Sequence, residues 1–165
     1  MAVLPVKKIG LTEAERGLAF AFFGIGVFGA ILAFSVVNRL SGGQTIFRGF
    51  GLYDVWVIAS GVAGACGGLY AARRWFGDVG AQGWIRASVG SFVTTFFGAL
   101  ISGTLALPFY GTMFGPFALA TSFIAHPLLA IFWVTTLTAA HMMYVRYRNE
   151  RDSIFAIEED DGIPI

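Results

Sequence analysis

The sequence predicts an all-α, polytopic membrane protein built as a bundle of four transmembrane helices. Of its 165 residues, 56% are hydrophobic, and the mean hydropathy is +0.72. Charged residues make up only 13% and fall in a few blocks. The uncharged stretches between these blocks run to about 18 residues or more, enough for a helix to cross the roughly 30 Å hydrocarbon core of a bilayer. A soluble globular domain is therefore excluded.

The first two spans have recognisable starts and ends. Thr12 followed by Glu15 is typical of a capping box, so a helix is expected to begin there and to become fully apolar over residues 17–37. The second span is expected over residues 55–72. Asp54 precedes it and can accept hydrogen bonds from the free amides of the first turn.

The third and fourth spans are defined largely by proline. The third is expected over residues 87–107 and ends at Pro108, whose ring discourages helix continuation. The fourth is expected over residues 116–145, with Pro116 as a favourable first helical residue. At 1.5 Å per residue this stretch is about 45 Å long. That excess predicts tilt, a kink at Pro127, or a last turn or two outside the bilayer.

The basic residues predict the orientation. Only two basic residues, Arg39 and Arg48, lie on one side of the predicted transmembrane domain. The other side, which holds both termini and the second loop, carries many more. The basic residues of the richer side are Lys7, Lys8, Arg16, Arg73, Arg74, Arg86, Arg146, Arg148 and Arg151. The positive-inside rule then predicts that residues 1–16 and 146–165 are cytoplasmic segments flanking a transmembrane domain of residues 17–145. The expected location is a bacterial inner membrane.

Small residues recur on the first two spans. The second span carries four of them at four-residue spacing, which places them on one helix face: Ser60, Gly64, Gly68 and Ala72. Gly26 and Gly29 offer a similar surface on the first span. Such small-residue stripes allow helix backbones to approach closely. We interpret them as helix-packing surfaces, either within the bundle or against a foreign subunit.

The two histidines are the candidate cofactor residues. The predicted cores contain no Asp, Glu, Lys or Arg, which weakens the case for an ion-coupled carrier. His126 is expected near the middle of the fourth span and His141 near its cytoplasmic end. They lie too far apart to share a metal. Each could bind a haem or chlorophyll-type group only with a second ligand from elsewhere or with none. The alternative is that His126 is neutral and hydrogen-bonds a neighbour such as Ser122.

The predicted cytoplasmic tail combines apolar and acidic residues. It could dock on a partner through Phe155, Ile157, Glu158, Glu159, Asp160 and Asp161. A disordered acidic tail is the alternative interpretation.

No catalytic motif and no metal site are recognisable, and nothing indicates nucleic-acid binding. We therefore expect a non-catalytic accessory subunit of a larger inner-membrane complex, of the energy-transducing kind, respiratory or photosynthetic. Its partners would be other integral membrane subunits and lipids. It would hold no cofactor of its own, although it could contact a lipid, a quinone, a carotenoid or a partner's tetrapyrrole. The alternatives are a haem- or pigment-binding protein using His126, and a small oligomeric channel or carrier.

Overall fold

A computed structural model describes residues 12–43, 49 and 51–160, with side chains up to residue 153. The described chain contains no strand. A short 3₁₀ turn, Arg73–Trp75, follows the second of its five α-helices. The helices are α1 (Glu13–Leu40), α2 (Leu52–Ala72), α3 (Gly80–Ala106), α4 (Gly111–Ala125) and α5 (Pro127–Asp160). Four of them are long and apolar enough to cross a membrane, which confirms the all-helical prediction with four apolar helices. Such an arrangement is compatible with a multi-pass membrane protein.

Two of the predicted helix starts use side-chain caps. The Glu15 amide donates to Thr12 Oγ1 at 3.2 Å, and Glu15 Oε2 accepts from the Thr12 amide at 2.9 Å. This reciprocal pair confirms the predicted capping box and begins α1 at Glu13. The second start differs from the prediction, because α2 begins at Leu52 and Asp54 lies inside its first turn instead of before the helix. Asp54 Oδ2 accepts from the amide of Gly51, the residue before the helix, at 2.9 Å.

The structure differs from the prediction of one continuous fourth span over residues 116–145. The chain from Gly111 to Asp160 is divided at His126, whose backbone angles (φ −133°, ψ 78°) leave the helical region. Pro127 explains this break, because a proline lacks the amide proton and disfavours helical geometry in the residue before it. Pro116 lies inside α4 rather than at a helix start. At 1.5 Å per residue, α4 is only about 22 Å long, so α5 is the fourth helix able to span a membrane.

The helices pack around α2, which lies between α1 and α3. α5 packs mainly on α1, and α4 packs on α3 while also contacting α1 and α5. The link from α4 to α1 includes Arg39, whose Nη1 donates to the Thr121 carbonyl at 3.2 Å. The core combines apolar side chains from four helices and from the turn after α2. Its members with the lowest exposure are Ile25, Leu69, Ala72, Phe76, Leu137 and Ala140.

Hydrogen bonds show which helix ends lie together. The Trp56 indole donates to the Leu105 carbonyl at 2.9 Å, so the start of α2 meets the end of α3. At the other end, the Ala14 amide donates to Glu150 Oε2 at 3.1 Å. We call this second end the arginine-rich end, and its described arginines are Arg16, Arg73, Arg74, Arg86, Arg146, Arg148 and Arg151. Arg39 lies at the opposite end. Lys7, Lys8 and Arg48 lie outside the described residues.

Candidate functional site

The stripe of small residues on α2 faces α3. Ser60, Gly64, Gly68 and Ala72 are all buried. A methyl group added at Gly64 would overlap the carbonyl oxygen of Gly98, and one added at Gly68 would overlap the carbonyl oxygen of Thr94. The two backbones are therefore in direct contact along this line. The stripe is occupied by the chain's own third helix.

A second close contact joins α1 to the neighbouring face of α2. A methyl group at Gly29 would overlap the Gly61 carbonyl, and a methyl at Gly61 would in turn overlap the Gly29 carbonyl. At Gly26 there is slightly more room, since an added methyl would lie 3.3 Å from both Cys66 Sγ and the Val62 side chain. α2 is thus held on two faces by backbone-to-backbone approach.

A third close contact, between α3 and α4, was missed by the sequence analysis. A methyl at Gly103 would overlap the Gly111 carbonyl, and a methyl at Gly115 would overlap the Ala99 carbonyl. Both helices carry small residues four apart at this crossing, Ala99 with Gly103 and Gly111 with Gly115. That spacing is the same signal that identified the stripe on α2.

A narrow cavity of about 100 Å³ lies between these contacts. Small and apolar side chains of α1 to α4 line it, together with Trp133 of α5. The Trp133 indole donates to Thr95 Oγ1 at 2.7 Å. The Thr94 side chain, which also lines the cavity, is fully buried, and its hydroxyl has no hydrogen-bond partner in the described part of the chain. The lining offers dispersion contacts and neutral hydroxyls, which suit packing rather than acid–base chemistry.

His141 lies in an aromatic enclosure at the arginine-rich end. Its Nδ1 accepts from the Gly77 amide at 3.3 Å, and its ring centroid lies 5.1 Å from that of Trp84 and 6.2 Å from that of Phe76. The side chain is 3% exposed. This environment favours a structural role, because His141 ties the turn after α2 to α5 and presents no open face to a macrocycle.

His126 occupies the break between α4 and α5 and is exposed. Its amide donates to the Ser122 carbonyl at 2.9 Å, while its own carbonyl accepts from the Leu129 amide. The Ser122 hydroxyl donates instead to the Ala118 carbonyl, so it does not pair with the imidazole as one alternative expected. The backbone of His126 joins two helices, and its side chain faces outward.

A charged cluster ties the loop before α3 to α5. Asp78 forms an ion pair with Arg86 at 2.7 Å and another with Arg148. Arg148 also donates to the Arg74 carbonyl at 3.3 Å. The hydrogen bond from Arg86, aided by the charge of Arg148, holds the pKa of the Asp78 carboxyl below its usual range. Because Asp78 ionises more readily in the folded state, this cluster stabilises the fold at neutral pH.

We expect Asp78→Asn to lower the free energy of unfolding in detergent by about 1 kcal/mol at pH 7, since two partly exposed charged hydrogen bonds are weakened. Because the pKa of Asp78 is lower in the folded state, its stabilising effect is complete above the pKa of the unfolded state, about 3.9. The effect is lost as the pH falls through the pKa of the folded state. The gap between wild type and variant should therefore shrink below about pH 4. Denaturation at pH 7 and pH 3 measures it, with exposed Asp152→Asn as the control. An unchanged gap at pH 3 would contradict the assignment.

The tail residues are only partly described. The backbone of α5 is helical through Asp160. The side chains of Phe155, Ile157, Glu158, Glu159 and Asp160, and all of Asp161, lie outside the described part of the chain. Partner docking by this tail remains a prediction.

Comparison with protein-family models, curated proteins and solved structures finds no match to this chain. Among the described residues, no three His, Cys, Asp or Glu side chains come together in a way that could hold a metal ion.

Proposed function

We propose that this chain is a non-catalytic subunit of a larger complex in a bacterial inner membrane, with both termini in the cytoplasm. The proposed host is an energy-transducing complex, respiratory or photosynthetic. The role of the chain would be to fill space between other integral subunits and their bound lipids or pigments.

The observation that carries this proposal is the distribution of large and small side chains. The closest helix contacts, those of α2 with α1 and α3 and of α3 with α4, are made by small residues, mainly glycine and alanine, whereas many bulky apolar side chains face outward. In the most apolar window of α3 and of α5, only 28% of residues are buried, against 44% in α1. These two helices therefore keep most of their apolar surface for contacts outside the chain.

One group of outward side chains suggests where a partner binds. Bulky residues more than half exposed lie on both sides of the break at His126, and we call them the ridge: Ile124 on α4 and Leu128, Ile131 and Phe132 on α5. Their spacing places the last three on one helix face. We propose that this ridge packs against a transmembrane helix of another subunit.

The proposal is tested by purifying the tagged chain from its native membrane in a mild detergent. On a native gel, we expect it to migrate well above its own 17.7 kDa, with other integral membrane proteins at fixed stoichiometry by mass spectrometry. Phe132→Ala should weaken this association, because it truncates an exposed ridge side chain without opening the core. Phe23→Ala on α1, which truncates a similarly exposed ring, is the matched control.

Three outcomes would overturn the proposal. If the chain purifies alone from mild detergent, it is not a subunit of a stable complex. An absorption band of a tetrapyrrole in the purified chain, lost in both His126→Ala and His126→Gln, would instead support a pigment- or haem-binding protein. Ion or solute flux through vesicles containing only this chain would support the channel or carrier.

A further inference from the structure

A groove opens at the arginine-rich end between α1, α2 and α5. Its volume is about 630 Å³, within the range of roughly 300–1,000 Å³ that is usual for ligand sites. Four arginines line it: Arg73, Arg74, Arg148 and Arg151. No lining side chain among the described residues is acidic. The groove therefore concentrates positive charge from two helix ends that are far apart in the sequence.

Most of this charge has no acidic partner within the residues that the structure describes. Arg148 is paired with Asp78, outside the lining of the groove. For Arg73, Arg74 and Arg151, no ion pair with an acidic side chain exists within the described part of the chain. The Arg73 guanidinium carbon lies 4.2 Å from the centroid of the Tyr70 ring, a cation–π contact that orients the side chain. Several guanidinium groups that line one groove favour a phosphate, which they can bind through several hydrogen bonds.

The rest of the lining is apolar or aromatic. Leu18 and Phe22 of α1 form part of the wall and also pack against the hydrophobic core. Three tyrosines complete the groove: Tyr70, Tyr144 and Tyr147. A cationic rim beside aliphatic and aromatic walls suits a molecule with a phosphate at one end and a hydrocarbon chain at the other. A soluble anion would leave the apolar walls without a partner.

We propose that this groove binds an anionic phospholipid. Its headgroup phosphate lies among Arg73, Arg74 and Arg151, and the first methylene groups of an acyl chain lie along Leu18 and Phe22. Basic pockets between helices at a membrane boundary bind such headgroups in other membrane proteins. The site adds a specific ligand to the packing role and does not depend on the identity of the host complex.

The acidic run of the chain itself is a poorer occupant. The backbone of α5 stays helical through Asp160. At 1.5 Å per residue, this places residue 158 about 10 Å beyond Arg151 along the helix axis. The acidic residues up to Asp160 are thus carried away from the groove rather than folded back into it.

The test is a lipid titration of the delipidated full chain in detergent, with bound lipid counted by native mass spectrometry. We expect phosphatidylglycerol to bind at least about tenfold more tightly than phosphatidylcholine. Arg73→Gln combined with Arg151→Gln should weaken phosphatidylglycerol binding by about 25-fold, about fivefold for each arginine near the headgroup. The charge-conserving pair Arg73→Lys with Arg151→Lys should retain most of the binding.

Two controls distinguish a built site from general attraction. Arg16→Gln with Arg146→Gln removes the same charge from exposed residues of the same end that do not line the groove, and should change binding by less than about twofold. Glycerol 3-phosphate supplies the phosphate without the acyl chains and should compete poorly. Any of three results would overturn the proposal. The two glutamine pairs could lose phosphatidylglycerol binding equally, the two lipids could bind equally well, or glycerol 3-phosphate could compete with the same affinity as the lipid. Circular dichroism checks that every variant remains folded.

Discussion

Gly64→Leu is expected to lower the free energy of unfolding by about 3 kcal/mol or to prevent folding. Even the first carbon of the new side chain would overlap the carbonyl oxygen of Gly98 and crowd Ser102. Neither backbone can move aside without losing the rest of the contact between α2 and α3, the most extensive in the bundle. Unfolding of the purified chain in mixed micelles measures the effect.

The matched control is Ala63→Leu. Ala63 is the neighbouring residue on α2 and is exposed, so its enlargement adds a similar apolar side chain outside the helix contact. We expect a change of less than about 0.5 kcal/mol there. Similar losses at both positions would mean that α2 tolerates bulk poorly on every face, and that the close approach to α3 is not the reason.

Gly115→Leu is expected to detach α4 rather than unfold the whole bundle. The new side chain would overlap the carbonyl oxygen of Ala99, and overpacking of this kind typically costs about 1–3 kcal/mol. Because α4 rests mainly on α3 and has few contacts with α1 and α5, its local stability should fall first. Hydrogen exchange should then show protection within α4 reduced by about tenfold or more, with α1 and α2 unchanged.

Ala120→Leu serves as the control for this second variant. Ala120 is exposed on the same short helix, so the larger side chain meets no neighbouring backbone. Protection within α4 should remain at the wild-type level. A loss of protection in α1 and α2 together with α4 in Gly115→Leu would contradict local detachment and indicate one cooperative unit.

Local signals predicted much of the fold. The box formed by Thr12 and Glu15 gave the start of α1 directly, because both of its hydrogen bonds lie within four residues. The break at Pro127 was among the alternatives expected for an overlong fourth span, since a proline restricts its own neighbour. The early start of α3 at Gly80 was missed. Its first turns include Arg86, which lies just before the expected span of residues 87–107 but belongs to the helix and pairs with Asp78.

The sites depend on contacts that a sequence window does not contain. His141 was placed at a boundary, yet its enclosure is made by Gly77 and Trp84, more than fifty residues earlier. Arg73 and Arg151 were interpreted only through their charge, as orientation signals. Their joint lining of one groove depends on how α2 and α5 each pack against α1. A sequence pattern predicts which face of a helix carries small or charged residues, but not which distant helix packs against that face.

The arrangement of the helices also bears on the order in which the bundle forms. The contacts of α1 with α2, α2 with α3 and α3 with α4 join neighbours in the chain, so each pair can associate as a hairpin soon after both of its helices have been made. α5 packs chiefly on α1, and the Ala14 amide reaches Glu150 across 136 positions of sequence. That closure must wait until nearly the whole chain has been made. During synthesis, the surface of α1 that packs against α5 stays uncovered until this last helix completes the bundle.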